Sequence, residues 1–500
     1  MTSSFRSSLS FWPRWFWRQL TSMRTALFLL LMLALAAIPG SLYPQRSADP
    51  NGVRLFFDER AELAAVLDAL QLFDVYTSVW FSAIYILLFA SLIGCVLPRM
   101  RVHLNALRRG PVQTPENLKR MSAYFAETGK LDLEKVRKVL KANGFRAEVQ
   151  GDSVSAEKGY AKETGNLVFH SALLAVLVSV GVGGGLSFTG QRVLVEGDTF
   201  VNNLASYDSF SPGPFFNEGE LTPFSLKLDN FDVIYDLRNR ANIGQPIDFV
   251  ATATLDDGNV AAQQEFRVNN PLAAPGANIY LTGNGFAPVI TVTDGTGVVA
   301  YSGPVVYLPQ DSNMTSLGVI KVPDALPEQI GMISFFYPTV AELESGAYTS
   351  IYPDPIDPLL TLNVYTGDLG LDAGIPRNVY ALDTTHLEVV ASRTGPNPPI
   401  ELRPGETAEL PGGIGSISFD GVLRYASVDI AWNPGGFWVL IFAAIALVSI
   451  VFSLSIRRRR VWVRVRDEKI EYAALARGDD EHLEAVLAEI KDEIEKEARV

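Results

Sequence analysis

Residues 165–188 read GNLVFHSALLAVLVSVGVGGGLSF, and the reading of this stretch decides the architecture. From 167 to 188 it is apolar apart from one ionisable side chain, His170. At a helical rise of 1.5 Å, roughly 20 apolar residues cross a hydrocarbon layer of about 30 Å. The stretch is therefore read as a membrane-spanning helix. Beyond it the chain changes at once to short alternating runs separated by Gly and Pro turns, a β texture. The same test applied outward finds three more spans, 25–43, 79–97 and 437–456, none containing Asp, Glu, Lys, Arg or His. The expected fold class is an integral membrane protein with four transmembrane α-helices, a large all-β extracytoplasmic domain and a small cytoplasmic α+β segment.

The first span follows Arg14, Arg18 and Arg24 and ends near PGS, features shared with a cleavable signal. A secretory apolar region runs about 7–15 residues, however, and this run is longer, so a retained helix is expected. Orientation follows from Lys and Arg beside the spans. Residues 1–24 carry Arg6, Arg14, Arg18 and Arg24, and the segment after the second span carries Arg99, Arg101, Arg108, Arg109, Lys119 and Arg120. The fourth span runs into Arg457, Arg458, Arg459 and Arg460. These regions, and both termini, are expected in the cytoplasm of a multi-pass protein of the plasma membrane. That leaves 44–78 and 189–436 outside. The larger outer segment holds 29 Asp and Glu against 10 Lys and Arg, so the overall charge of −13 conceals a basic inner face and an acidic exterior. An acidic exterior argues against a nucleic-acid partner. Cys95 is the one cysteine, so neither an internal disulfide nor a CxxC redox pair can form.

Within 44–78, Leu55, Phe56, Leu63, Val66, Leu67, Leu70 and Phe73 recur at helical spacing and predict an amphipathic helix. In the cytoplasmic segment 98–166, Leu133, Val136, Val139 and Leu140 share a helical face that ends at Asn143-Gly144. Two short strands about the Gly151-Asp152 turn follow. Segments such as FSLKLDNFDVIYD and PVITVTDGTGVVAYSG within 189–436 predict an all-β sandwich or barrel-like arrangement, as one large or two packed β units. In the tail, 457–500, Leu483, Val486, Leu487, Ile490 and Ile494 mark a helix that either meets a partner or is solvated.

No GxSxG, HExxH, P-loop or paired-cysteine spacing is present, so no catalytic residue is assigned. His103, His386 and His482 stand in what read as loop, β-domain and tail contexts, without neighbours that complete a ligand set. His170 differs by location. An ionisable group in a membrane segment faces protein or a wet cavity and marks a site, and a neutral imidazole can ligate haem iron. An interfacial hydrogen bond with no further role is the plain alternative.

Several stretches together resemble the ResB (CcsB) family of cytochrome c biogenesis proteins. RTALFLLLMLALAAIPGSLYPQR resembles the family's first span, and FDVYTSVWFSAIYILLFASLIGCVLPR its second. EKGYAKETGNLVFHSALLAVLVSVGVGG is similar to the approach to the third span with its histidine. TPFSLKLDNFDVIYD resembles the opening of the outer domain, and GGFWVLIFAAIALVSIVFSLSIRRRRVWVRV the last span. The resemblance implies System II cytochrome c maturation, in which such a subunit joins a ResC (CcsA)-type membrane protein. Together they carry haem b across the membrane as transient cargo and attach it to apocytochrome c. It implies that His170 is an axial ligand of the haem iron, with the second ligand on the partner. It also implies no activity for this chain alone, only as part of a haem–cytochrome c ligation complex. In RVNNPLAAPGANIYLTGNGFAPVITV the chain departs from the family pattern, with Asn270 and Asn284 where relatives often carry histidine. No outer-face haem ligand is therefore assigned. The competing reading is a membrane-anchored extracytoplasmic binding or sensor protein whose β domain holds a ligand or partner.

Overall fold

The computed structural model describes residues 15–236, 238, 244–371 and 379–498. Arg6 and Arg14 lie outside the described residues. The chain forms two compact units, Met1–Gly184 with Pro434–Val500, and Gly185–Asn433.

In the first unit the helices are α1 (Met23–Leu42), α2 (Pro50–Glu59), α3 (Ala61–Ala69), α4 (Val79–Arg108), α5 (Leu133–Ala142), α6 (Ala161–Leu186), α7 (Gly436–Ser455) and α8 (Leu483–Ala498). Helices α1, α4, α6 and α7 are long and apolar enough to cross a membrane. Ser22 and Ser78 cap α1 and α4, each hydroxyl accepting from a backbone N–H three residues on. Helix α4 runs on past Leu97, and α6 begins before Leu167, so both carry polar extensions of the apolar spans. His103 accordingly lies buried on α4 rather than in a loop.

Helix contacts within this unit use small and polar groups, as expected where no hydrophobic drive separates helix from lipid. The Cys95 thiol donates to the Thr21 carbonyl at 2.8 Å, and the Ser453 hydroxyl of α7 donates to the Lys162 carbonyl of α6 at 2.9 Å. A Cβ on Gly165 would stand 3.0 Å from the Ser449 carbonyl oxygen, so glycine there permits the close approach of α6 and α7. The loop between α1 and α4 forms two short helices rather than one. These gather Val53, Ala64 and Leu67 around the fully buried Phe73.

The segments before α6 and after α7, read separately in the sequence, fold as one antiparallel sheet. Its order is 123–128, 469–476, 459–466, 153–158, 146–150. Helices α5 and α8 share its core, with Val136, Leu140, Leu487, Ile490 and Ile494 buried together against Val463 and Tyr472. The tail helix is therefore neither solvated nor waiting for a partner, because its apolar face is covered by its own chain.

The second unit is all β. Two 18-residue strands, Ala277–Asp294 and Gly415–Trp432, pair along almost their whole length. At about 3.4 Å per residue each is long enough to serve two cores. One end packs on the four-stranded sheet through Ile279, Leu281, Val428 and Ile430 with Leu226 and Phe266. The other packs on the six-stranded sheet through Phe286, Ile290, Ile417 and Phe419 with Ile320 and Phe336. One pair of strands thus joins two sandwiches.

Candidate functional site at the head of the third membrane helix

His170 sits on α6, half-buried, with Phe169 packed edge-on at 5.1 Å between ring centres. Its Nδ1 lies 2.8 Å from the Asn166 carbonyl oxygen, one helical turn back. A carbonyl only accepts, so Nδ1 donates in this contact, and Nε2 has no hydrogen-bond partner among the described residues. A hydrogen bond that fixes one ring nitrogen is the usual way in which an imidazole is oriented for metal binding at the other. His170 is thus held through Nδ1 on a half-buried ring at the head of the apolar run.

Towards its start α6 enters a polar network. Glu163 pairs with Arg458 and Arg477, and its Oε2 lies 3.4 Å from Nδ1 of His103. The Nε2 of His103 is 2.9 Å from the Thr164 hydroxyl, while its Nδ1 is buried without a hydrogen-bond partner. Behind these, Glu157 accepts from Nε of Arg458 at 2.7 Å, from Nε of Arg460 at 2.8 Å and from the Tyr160 hydroxyl at 2.6 Å. Burial opposes ionisation of Glu157, but its hydrogen bonds from Tyr160, Arg460 and Arg458 outweigh it and hold the carboxyl below its ordinary value. Burial and the neighbouring Glu157 together push the Tyr160 phenol up to about 12.

Between these groups and α4, α6 and α7 lies a cavity of about 770 Å³. Its lining includes Arg99, Val102, His103, Lys162, Glu163, Asn166, Leu167, Leu454, Arg458 and Arg477. Sequence reasoning did not connect these residues. Helical spacing beyond Pro98 was a signal for His103, but an internal proline ordinarily reads as a stop.

The remaining sequence candidates stand apart from this site. His482 is exposed before α8, and His386 is exposed in a turn of the second unit. Asn270 is exposed in the turn bridged to Arg267, and Asn284 is half-buried opposite Ala426. Among the described residues no cluster of three or more His, Cys, Asp or Glu side chains could hold a metal ion.

A family model described as "ResB-like family" matches residues 23–488. The "Cytochrome c biogenesis protein CcsB" of Microcystis aeruginosa is 25% identical over 319 residues, 62% of this chain and 67% of that protein. The protein of the same name from Prochlorococcus marinus strain AS9601 is 26% identical over 275 residues, 52% of this chain and 59% of the relative. That of Synechococcus sp. strain WH7803 is 28% identical over 274 residues, 52% of this chain and 58% of the relative. The matches thus span about three fifths to two thirds of these relatives' lengths.

Proposed function

Because the chain belongs to the ResB-like family, we propose that it is a membrane subunit of System II cytochrome c biogenesis. In this reading it moves haem b across the plasma membrane with a ResC/CcsA-type partner and presents it for attachment to apocytochrome c. The α+β part of the first unit and both termini face the cytoplasm, and the second unit faces outward. His170 donates Nε2 to the haem iron as one axial ligand, and the partner supplies the other.

The observation that carries this reading is the Asn166 carbonyl held against Nδ1 of His170, which leaves Nε2 free on a half-buried ring. Chemically the chain does three things for its cargo. It offers one ring nitrogen with the other held by the backbone, keeps that nitrogen on a helix, and leaves a face open for the second ligand. Haem, once bound, supplies an iron that takes two axial nitrogens and vinyl groups that can react with thiols.

The test is co-expression of this chain with its ResC-type partner, followed by purification and absorption spectroscopy. His170→Ala should weaken or shift the Soret band and abolish most holocytochrome c assembly, and added imidazole should restore part of both. An unchanged Soret band with full assembly in the variant would overturn the assignment.

A further inference from the structure

The cavity between α4, α6 and α7 has more positive charge than its own chain neutralises. Arg99, Lys162, Arg458 and Arg477 line it against the single carboxylate Glu163. Arg458 and Arg477 both pair with Glu163, and Arg458 pairs also with Glu157. Arg99 and Lys162 have no carboxylate partner among the described residues. The wall adds the buried Nδ1 of His103, which makes no hydrogen bond and lies 3.4 Å from Oε2 of Glu163. The other walls are apolar, from Val102, Leu167 and Leu454. Unpaired cations beside an apolar wall at the end of a membrane span select a ligand that is flat or oily at one end and anionic at the other.

We propose that this cavity seats the carboxylate end of a porphyrin, with Arg99 and Lys162 as the groups that bind the two carboxylates. The inference rests on the haem-carrying reading and adds to it the place where cargo first docks. Its volume of about 770 Å³ lies within the roughly 300–1,000 Å³ of small-molecule sites. Asn166 lines the cavity, and its carbonyl is the acceptor that orients His170, so the docking wall and the iron ligand are one helical turn apart. Arginine suits the task because its planar fork can take a carboxylate through two parallel hydrogen bonds, while lysine adds a point charge.

The experiment uses the full-length chain in phosphatidylcholine nanodiscs, titrated with metal-free protoporphyrin and with its dimethyl ester. The diacid is expected to bind at least about tenfold more tightly than the ester, the scale of one hydrogen bond to a charged group. Arg99→Gln combined with Lys162→Gln should remove that preference and leave ester binding unchanged. Arg99→Lys with Lys162→Arg keeps both charges and should retain the preference. Equal binding of diacid and ester by the unmutated chain would overturn the proposal, as would a Gln double variant that still prefers the diacid. A lipid phosphate would offer the same chemistry, so part of the phosphatidylcholine is replaced by phosphatidylglycerol. Displacement of the diacid by that lipid down to the ester's affinity would assign the cavity to a headgroup and overturn the porphyrin. Metal-free binding does not use iron, so His170→Ala should leave it intact. Diacid preference that persists beside an unchanged haem spectrum in His170→Ala would keep the docking site and remove the axial ligand.

Discussion

Glu157 has a side chain only 2% exposed and carries a negative charge into the α+β core beside Arg458 and Arg460. Burying a carboxylate is costly unless donors replace its water, and here two guanidinium groups and a phenol do so. Removing it leaves Arg458 and Arg460 short of counter-charge. Glu157→Ala should therefore cost about 3–5 kcal/mol of stability, read as a lowered unfolding midpoint in detergent. A second carboxylate gives the pH dependence. Burial opposes ionisation of Glu471, yet Arg464, Tyr124 and Lys469 outweigh it and bring its carboxyl down from 4.5 to about 2. A depressed carboxyl contributes fully above its unfolded value and loses that contribution as pH falls through the folded one. Stability should thus decline between about 4.5 and about 2, and Glu471→Gln should flatten that acid limb in pH-dependent melting. At this scale the sequence showed His170, because an imidazole in an apolar run is conspicuous. It did not show Glu157, because the arginines that answer it lie about 300 residues on. Only the sheet register Arg460↔Glu157 brings them together. In sequence the arginine run signals topology, and its pairing partner Glu157 is too distant along the chain to be recognised.

Among the elements, α8 separates what periodicity can tell from what it cannot. Leu483, Leu487, Ile490 and Ile494 share one face by spacing, and all four are buried. Spacing identifies the apolar face but not the surface that covers it, which is why it leaves a partnered and a solvated tail equally open. The covering surface includes the hairpin 459–466/469–476, which was not legible either. Its two-residue turn is Asp467-Glu468, both at positive φ, where the recognisable signal would be Asn-Gly or Asp-Gly. Leu487→Ala should cost about 2–5 kcal/mol, as for other fully buried leucines. Glu489→Ala on the exposed face should leave the unfolding midpoint close to wild type. Equal, small effects from both changes would show that α8 does not dock on the sheet in solution. In the second unit the β texture was legible from alternation and turns. The division into two cores was not, since the strands that serve both look, in sequence, like several shorter ones.

For the whole molecule, charge and hydropathy divide the same way. The span 189–436 carries 29 acidic against 10 basic residues, whereas the arginine clusters gather beside the spans 79–97 and 437–456. A cluster of cations beside a span resists translocation, so four crossings would return both termini to the side on which synthesis began. The proposed haem route depends on this orientation, because a cation-lined cavity bounded by Arg99 and Arg458 must face the compartment from which the cargo comes. Thiol labelling decides it. Cys95 is replaced by Ser to give a background without cysteine, and single cysteines are placed at exposed positions, Ser345→Cys in the second unit and Lys138→Cys or Asp492→Cys in the first. A membrane-impermeant maleimide added to intact cells should label position 345 and spare positions 138 and 492 until the membrane is permeabilised. The reverse pattern would turn the molecule over. The cavity would then open on the outer face, where it could receive haem only after another protein had carried it across.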